Sequence, residues 1–114
     1  MRVVYVLALA SCLATPALAR DRTGFKAIEA RNYDAAERVL LNERRIFPGR
    51  PELMINLGTV YARTGRVSEA AILYRAALAS DAVEMALPGG GIETSHEVAL
   101  RGLRSLAPAA LAVR

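Results

Sequence analysis

Gly24 and Gly58 stand 34 residues apart, and the residues around them recur at the same interval. Ala27 falls on Tyr61, Ala36 on Ala70 and Leu40 on Tyr74, while Asn32, in a turn, falls on Arg66, and the terminator Pro48 on Ala82. Between these positions the apolar residues are spaced for helices, so each copy reads as helix, turn, helix. A unit of that size cannot bury its apolar face alone; it must stack on a neighbour. The expected fold class is therefore all-α, made of antiparallel helix-turn-helix repeats.

Start and stop signals divide the chain. A first helix is expected from about Arg22 to Arg31, with Gly24, Ala27, Ile28 and Arg31 on one face, followed by a turn at Asn32-Tyr33. Asp34 is the expected cap of a second helix reaching Phe47, with Ala36, Val39, Leu40 and Phe47 in its stripe and Arg44-Arg45 at its negative end. Pro48-Gly49 stops it. Pro51 at a first helical position opens the third helix, whose stripe is Leu53, Met54, Leu57, Val60 and Tyr61, and Gly65 ends it. Ser68 is the expected cap of the fourth, with Val67 stapled to Ile72 and with Ala70, Leu73, Tyr74, Ala77 and Leu78 inward. Gly58, at a cost of about 1 kcal/mol in a helix interior, implies a close approach of the partner helix at Ala70, with Tyr61 and Tyr74 filling the space beyond.

The second copy, Pro51 to Glu84, resembles the tetratricopeptide repeat through Asn56-Leu57-Gly58, Tyr61, Gly65, Glu69-Ala70, Tyr74, Ala77-Leu78 and Asp81. The first resembles it through Gly24, Asn32-Tyr33-Asp34, Ala36 and Pro48, and departs from it at Glu43, where the second copy has Ala77. The resemblance covers residues 20–81, divided into 20–50 and 51–81, and implies a right-handed α-solenoid of two repeats. Because about three units are usually needed for stability, two must be closed by a cap or a partner.

After Asp81 the repeat is lost. Residues 82–93 hold Pro88-Gly89-Gly90-Gly91 and read as a loop or a short hairpin of Val83–Leu87 with Ile92–Thr94. A phosphate-binding glycine loop would need a following Lys or a strand-to-helix frame, and has neither. Thr94 and Glu97 form a capping box that opens a C-terminal capping helix over 94–107, with Ala99, Leu100, Leu103 and Leu106 on one side. Residues 108–114 are expected to fray.

Residues 1–19, "MRVVYVLALASCLATPALA", have a basic start, a short apolar core and a small-residue Ala17-Leu18-Ala19 site, the pattern of a secretory signal peptide. Cleavage near Ala19 would place the chain in a bacterial periplasm or outside the cell and leave no cysteine, hence no disulfide. The alternative is a lipid anchor on Cys12. Direct insertion of the cleaved chain into a membrane is not expected.

The net charge is +4, with acidic and basic residues interspersed. Without a basic run interleaved with aromatics, nucleic-acid binding is not expected. The single histidine, His96, has no ligand cluster around it, and no serine sits in a nucleophile elbow. The chain therefore reads as non-catalytic, with no metal or cofactor. The tetratricopeptide resemblance implies instead a groove lined by Phe25, Ile28 and Glu29 in the first copy and by Glu52, Ile55, Thr59, Ala62 and Arg63 in the second. Such a groove suits a peptide or helix of another protein. The alternatives are an assembly or pilotin-like chaperone subunit, lipid-anchored, and a self-associating homo-oligomer.

Overall fold

A computed structural model describes residues 21–112, with side chains as far as Ala107; the signal-peptide reading falls outside the described residues. Five helices and one small hairpin follow in order: α1 (Phe25–Glu29), α2 (Tyr33–Ile46), α3 (Pro51–Arg63), α4 (Val67–Leu78), β1 (Glu84–Ala86), β2 (Ile92–Thr94) and α5 (Ser95–Ala112). The chain is predominantly helical. Its two strands form a single antiparallel pair.

α1 is much shorter than its pattern suggests. The Asp21 carboxylate accepts from the backbone N–H of Phe25 at 2.9 Å and of Lys26 at 2.6 Å, so the chain turns over Arg22-Thr23 before the helix begins. Gly24 is consequently the N-cap, with φ +68°, and not a member of the helix face. α2 starts at Tyr33, because the Asn32 side chain, not Asp34, accepts from the Ala35 N–H. α4 likewise starts one residue before Ser68, from an N-cap Arg66 that makes no side-chain cap. Ile72 is 64% exposed and staples nothing.

The helix-to-helix turns repeat in detail. Asn32 N–H donates to the Ala27 carbonyl at 2.8 Å, and Arg66 N–H, 34 residues on, donates to the Tyr61 carbonyl at 2.8 Å. Both turns place a left-handed residue just before the cap: Arg31 with φ 59° and Gly65 with φ 80°. These are the bonds and the backbone of a helix C-terminus closed by a six-to-one hydrogen bond.

α3 is the central helix, packed against α2, α4, α5 and α1. Leu53, Met54, Ile55, Leu57, Gly58 and Val60 of this one helix are buried, meeting Ala36 and Leu40 of α2 and Ala70, Leu73, Tyr74 and Ala77 of α4. Gly58 faces the Tyr74 ring: a Cβ there would stand 3.0 Å from Tyr74 Cε1, so the close approach is to the aromatic ring and not to Ala70. Gly24 stands in the same relation to Leu40, at 3.1 Å.

α5 docks against α4 and α3. Thr94 Oγ1 accepts from the Glu97 N–H at 3.2 Å while Glu97 Oε2 accepts from the Thr94 N–H at 3.0 Å, closing the capping box. The Thr94 N–H, and after it the Thr94 hydroxyl, which donates to Glu97 Oε2 at 3.1 Å, hold the Glu97 carboxyl below its usual range. Ser95, fully buried, accepts on Oγ from the Val83 N–H at 3.0 Å and donates its own N–H to the Val83 carbonyl at 2.7 Å. His96 Nε2 lies 2.6 Å from the Ser80 carbonyl oxygen. Leu100, placed on the inner stripe by periodicity, is 44% exposed. The helix continues through Pro108 to Ala112, where fraying was expected from residue 108. Proline costs one backbone bond, and the alanines on either side continue the helix.

Candidate functional site

Between the first helix of each helical pair, α1 and α3, and the C-terminal helix lies a cleft of about 640 Å³. Phe25 and Ile28 of α1 and Thr59, Ala62 and Arg63 of α3 form one wall. Met85, Ala86, Leu87 and Pro88 of the hairpin, with Val98, Arg101 and Leu106 of α5, form the other. Tyr74 lies between them, its ring bounded by Gly58 on α3 and Gly102 on α5. Glycine on both flanking helices lets a large aromatic stand where three helices meet.

Polar atoms are few and placed by neighbours. The Thr59 hydroxyl donates to the Ile55 carbonyl at 3.0 Å, which uses its single proton. The Tyr74 hydroxyl, 3.1 Å away, is therefore the donor to Thr59 Oγ1. Burial pushes the Tyr74 phenol up from its usual range, over the opposing pull of the Arg63 charge. Asn56 Nδ2 donates to the Thr23 carbonyl at 2.8 Å, fixing the turn before α1 against α3.

The two charged residues in this lining are both arginines. Arg101 Nη1 lies 2.6 Å from Glu93 Oε2 on β2. Arg63 is exposed and has no ion pair among the described residues. The cleft is thus largely apolar, with Arg63 as the uncompensated cation at its rim among the described residues, a composition that favours an occupant with apolar groups and a negative charge.

A second depression of about 400 Å³ continues from the first, sharing Phe25, Asn56, Met85 and Ala86. Glu52 lines this one, together with Asp21, Thr23, Lys26 and Glu84. Glu29 is exposed and lines neither. Ile55 lies at the cleft but is 1% exposed, because α3 is covered on both sides; it shapes the floor and offers no contact surface. The second wall was not foreseen from sequence. Leu106 reads as an ordinary core position of a cap, Val98 is given no face, and nothing local in the hairpin tells that it stands across from α1.

Among the described residues, no three histidine, cysteine or carboxylate side chains cluster to hold a metal ion. No described helix is long and apolar enough to cross a membrane. Comparison with family models, with curated proteins and with solved structures found no match.

Proposed function

We propose that the chain is a non-catalytic interaction adaptor of a bacterial envelope, exported on its N-terminal segment, that binds a peptide or helix of another protein in the cleft between α1/α3 and α5. Its framework is two tetratricopeptide-like hairpins closed by a C-terminal helix. The repeated turns at Arg31-Asn32 and Gly65-Arg66, with the same six-to-one bond, support the repeat reading. So does the glycine contact that recurs from Gly24–Leu40 to Gly58–Tyr74.

The observation that carries the functional reading is the cleft itself, apolar along its walls and edged by Arg63 and Arg101. Concave sites with convergent polar groups are where binding is expected in a small domain. A photo-crosslinking residue at Ala62, inside the cleft, and another at exposed Arg38, on α2, test it in cells. One partner segment should be captured at residue 62 and not at 38, and should be lost in a folded Arg63→Glu chain. Crosslinking confined to a second copy of the chain, or equal at both positions, would refute the adaptor reading.

A further inference from the structure

A strand edge opens on the cleft. At one end of the hairpin Ser95 N–H donates to the Val83 carbonyl, and at the other Leu87 N–H donates to the Gly91 carbonyl at 3.0 Å. Between them Glu84 stands opposite Thr94, Met85 opposite Glu93 and Ala86 opposite Ile92. In an antiparallel pair, residues that exchange hydrogen bonds alternate with residues that do not. With Val83 and Leu87 bonded inward, Met85 is the inward residue between them. Glu84 and Ala86 therefore direct their N–H and C=O groups away from β2.

Both residues are exposed, and among the described residues no turn, cap or side chain bonds to their backbone. Both depressions take residues from β1 and none from β2. The outward edge accordingly faces the hollow, across from Phe25 and Asn56.

We infer that the cleft takes an extended peptide segment of another protein, added as a third strand on the outer edge of β1, with apolar side chains entering the hollow and an acidic one reaching Arg63. The inference rests on the adaptor reading and deepens it by choosing a strand over a helix. A helix has its backbone groups already bonded, whereas an extended segment offers the alternating donors and acceptors that Glu84 and Ala86 leave open. Alternate side chains of that strand point to the same side, so every second residue meets the apolar walls. The charge follows from the lining of the larger cleft, apart from the smaller depression with its Asp21, Glu52 and Glu84: Arg101 is held by Glu93, and Arg63 is exposed with no ion pair among the described residues, so the complement at Arg63 is one carboxylate.

The test uses an array of nine-residue peptides, alternating Val or Leu with Ser or Thr, with Glu, Gln or Lys at each polar position in turn. At the one position that reaches Arg63, the Glu peptide should bind more tightly than its Gln and Lys counterparts. In solution with the isotope-labelled chain, the strongest binder should slow amide exchange at Glu84 and Ala86 by about tenfold or more and leave Met85 unchanged. Ala86→Pro removes one outward N–H and no ladder bond, and should weaken binding about tenfold, while Ala86→Val keeps it. N-methylation of alternate peptide amides probes the same bonds without altering the protein; the two alternate sets should differ. Equal binding by the Ala86→Pro chain, or equal effects of the two methylation sets, overturns strand addition while leaving a cleft that binds peptides. Failure of every peptide to bind, or pairing of two chains through β1, overturns the inference; crosslinking at Ala62 then decides whether the adaptor reading falls with it.

Discussion

A Cβ placed on Gly102 would stand 2.6 Å from Cζ of Tyr74. The ring cannot retreat, because Gly58 already lies against it from α3 and the residue is 4% exposed. Gly102→Ala gains about 1 kcal/mol of helix propensity but overpacks the junction at a cost of about 1–3 kcal/mol. A net loss of up to about 2 kcal/mol should appear in urea unfolding. In a Tyr74→Leu background, where the ring is absent, the same substitution should become neutral or stabilising.

Among the described residues the Tyr74 hydroxyl has a partner only in Thr59. Tyr74→Phe should cost about 0.5–1.5 kcal/mol, since Thr59 keeps its bond to the Ile55 carbonyl. Ultraviolet titration should show two tyrosines, Tyr61 and Tyr74, ionising above the usual range because of burial, and only one of them left in the Phe variant. The folded phenol holds its proton more tightly than the unfolded one. Stability is therefore full below pH 10 and falls as the pH rises through the folded value.

Arg31 and Gly65 occupy the same left-handed turn position with different residues. Replacing Arg31 by Gly relieves about 1–2 kcal/mol of backbone strain, offset by about 0.5–1 kcal/mol of unfolded-state entropy. The Arg31→Gly chain should be slightly more stable than wild type, whereas Gly65→Ala, with open space around its Cβ, should lose about 1 kcal/mol from φ alone. Midpoints that move the same way in both variants would refute the equivalence of the two turns.

Arg66 grips Glu37 through two bonds, Nη1 to Oε1 at 2.6 Å and Nη2 to Oε2 at 2.8 Å, with its guanidinium 4.3 Å from the Tyr61 ring centroid. The hydrogen bond from Arg66 lowers the Glu37 carboxyl below 4.5. Its contribution is present above that pH and disappears as the pH falls through the lowered folded value. Solvent reaches the pair, so Glu37→Gln should cost at most about 1 kcal/mol near neutrality. The difference between wild type and variant should shrink as acid is added, measured by urea midpoints at successive pH values.

The helical pair α3–α4 was legible in sequence because its signals are local: Pro51 at a helix start, Gly65 at the end, apolar residues at helical spacing between them. Asp21 was not, since it caps from four and five residues away across a turn. Arg31 concealed a left-handed position that glycine would have announced. Gly102 alone in a helix carried no hint of Tyr74, because the contact joins residues 28 apart through the docking of α5. The cleft needed that docking as well: Phe25, Ile28, Thr59, Ala62 and Arg63 are one wall, and a wall read from one helix face does not reveal what stands opposite.

The reciprocal bonds between Val83 and Ser95 tie together both ends of the hairpin at one buried point. What lies between them is a detour whose entry and exit coincide, so α5 reaches its seat by a path independent of the detour's length or composition. Natural variation or engineering could lengthen, shorten or replace residues 86–92 without unseating the last helix, provided Met85 stays in the core and Glu93 and Thr94 stay against α5. This makes the hairpin part of one wall, Ala86 to Pro88, an exchangeable cassette on an unchanging frame, and gives this small fold a means of acquiring new recognition without having to fold anew.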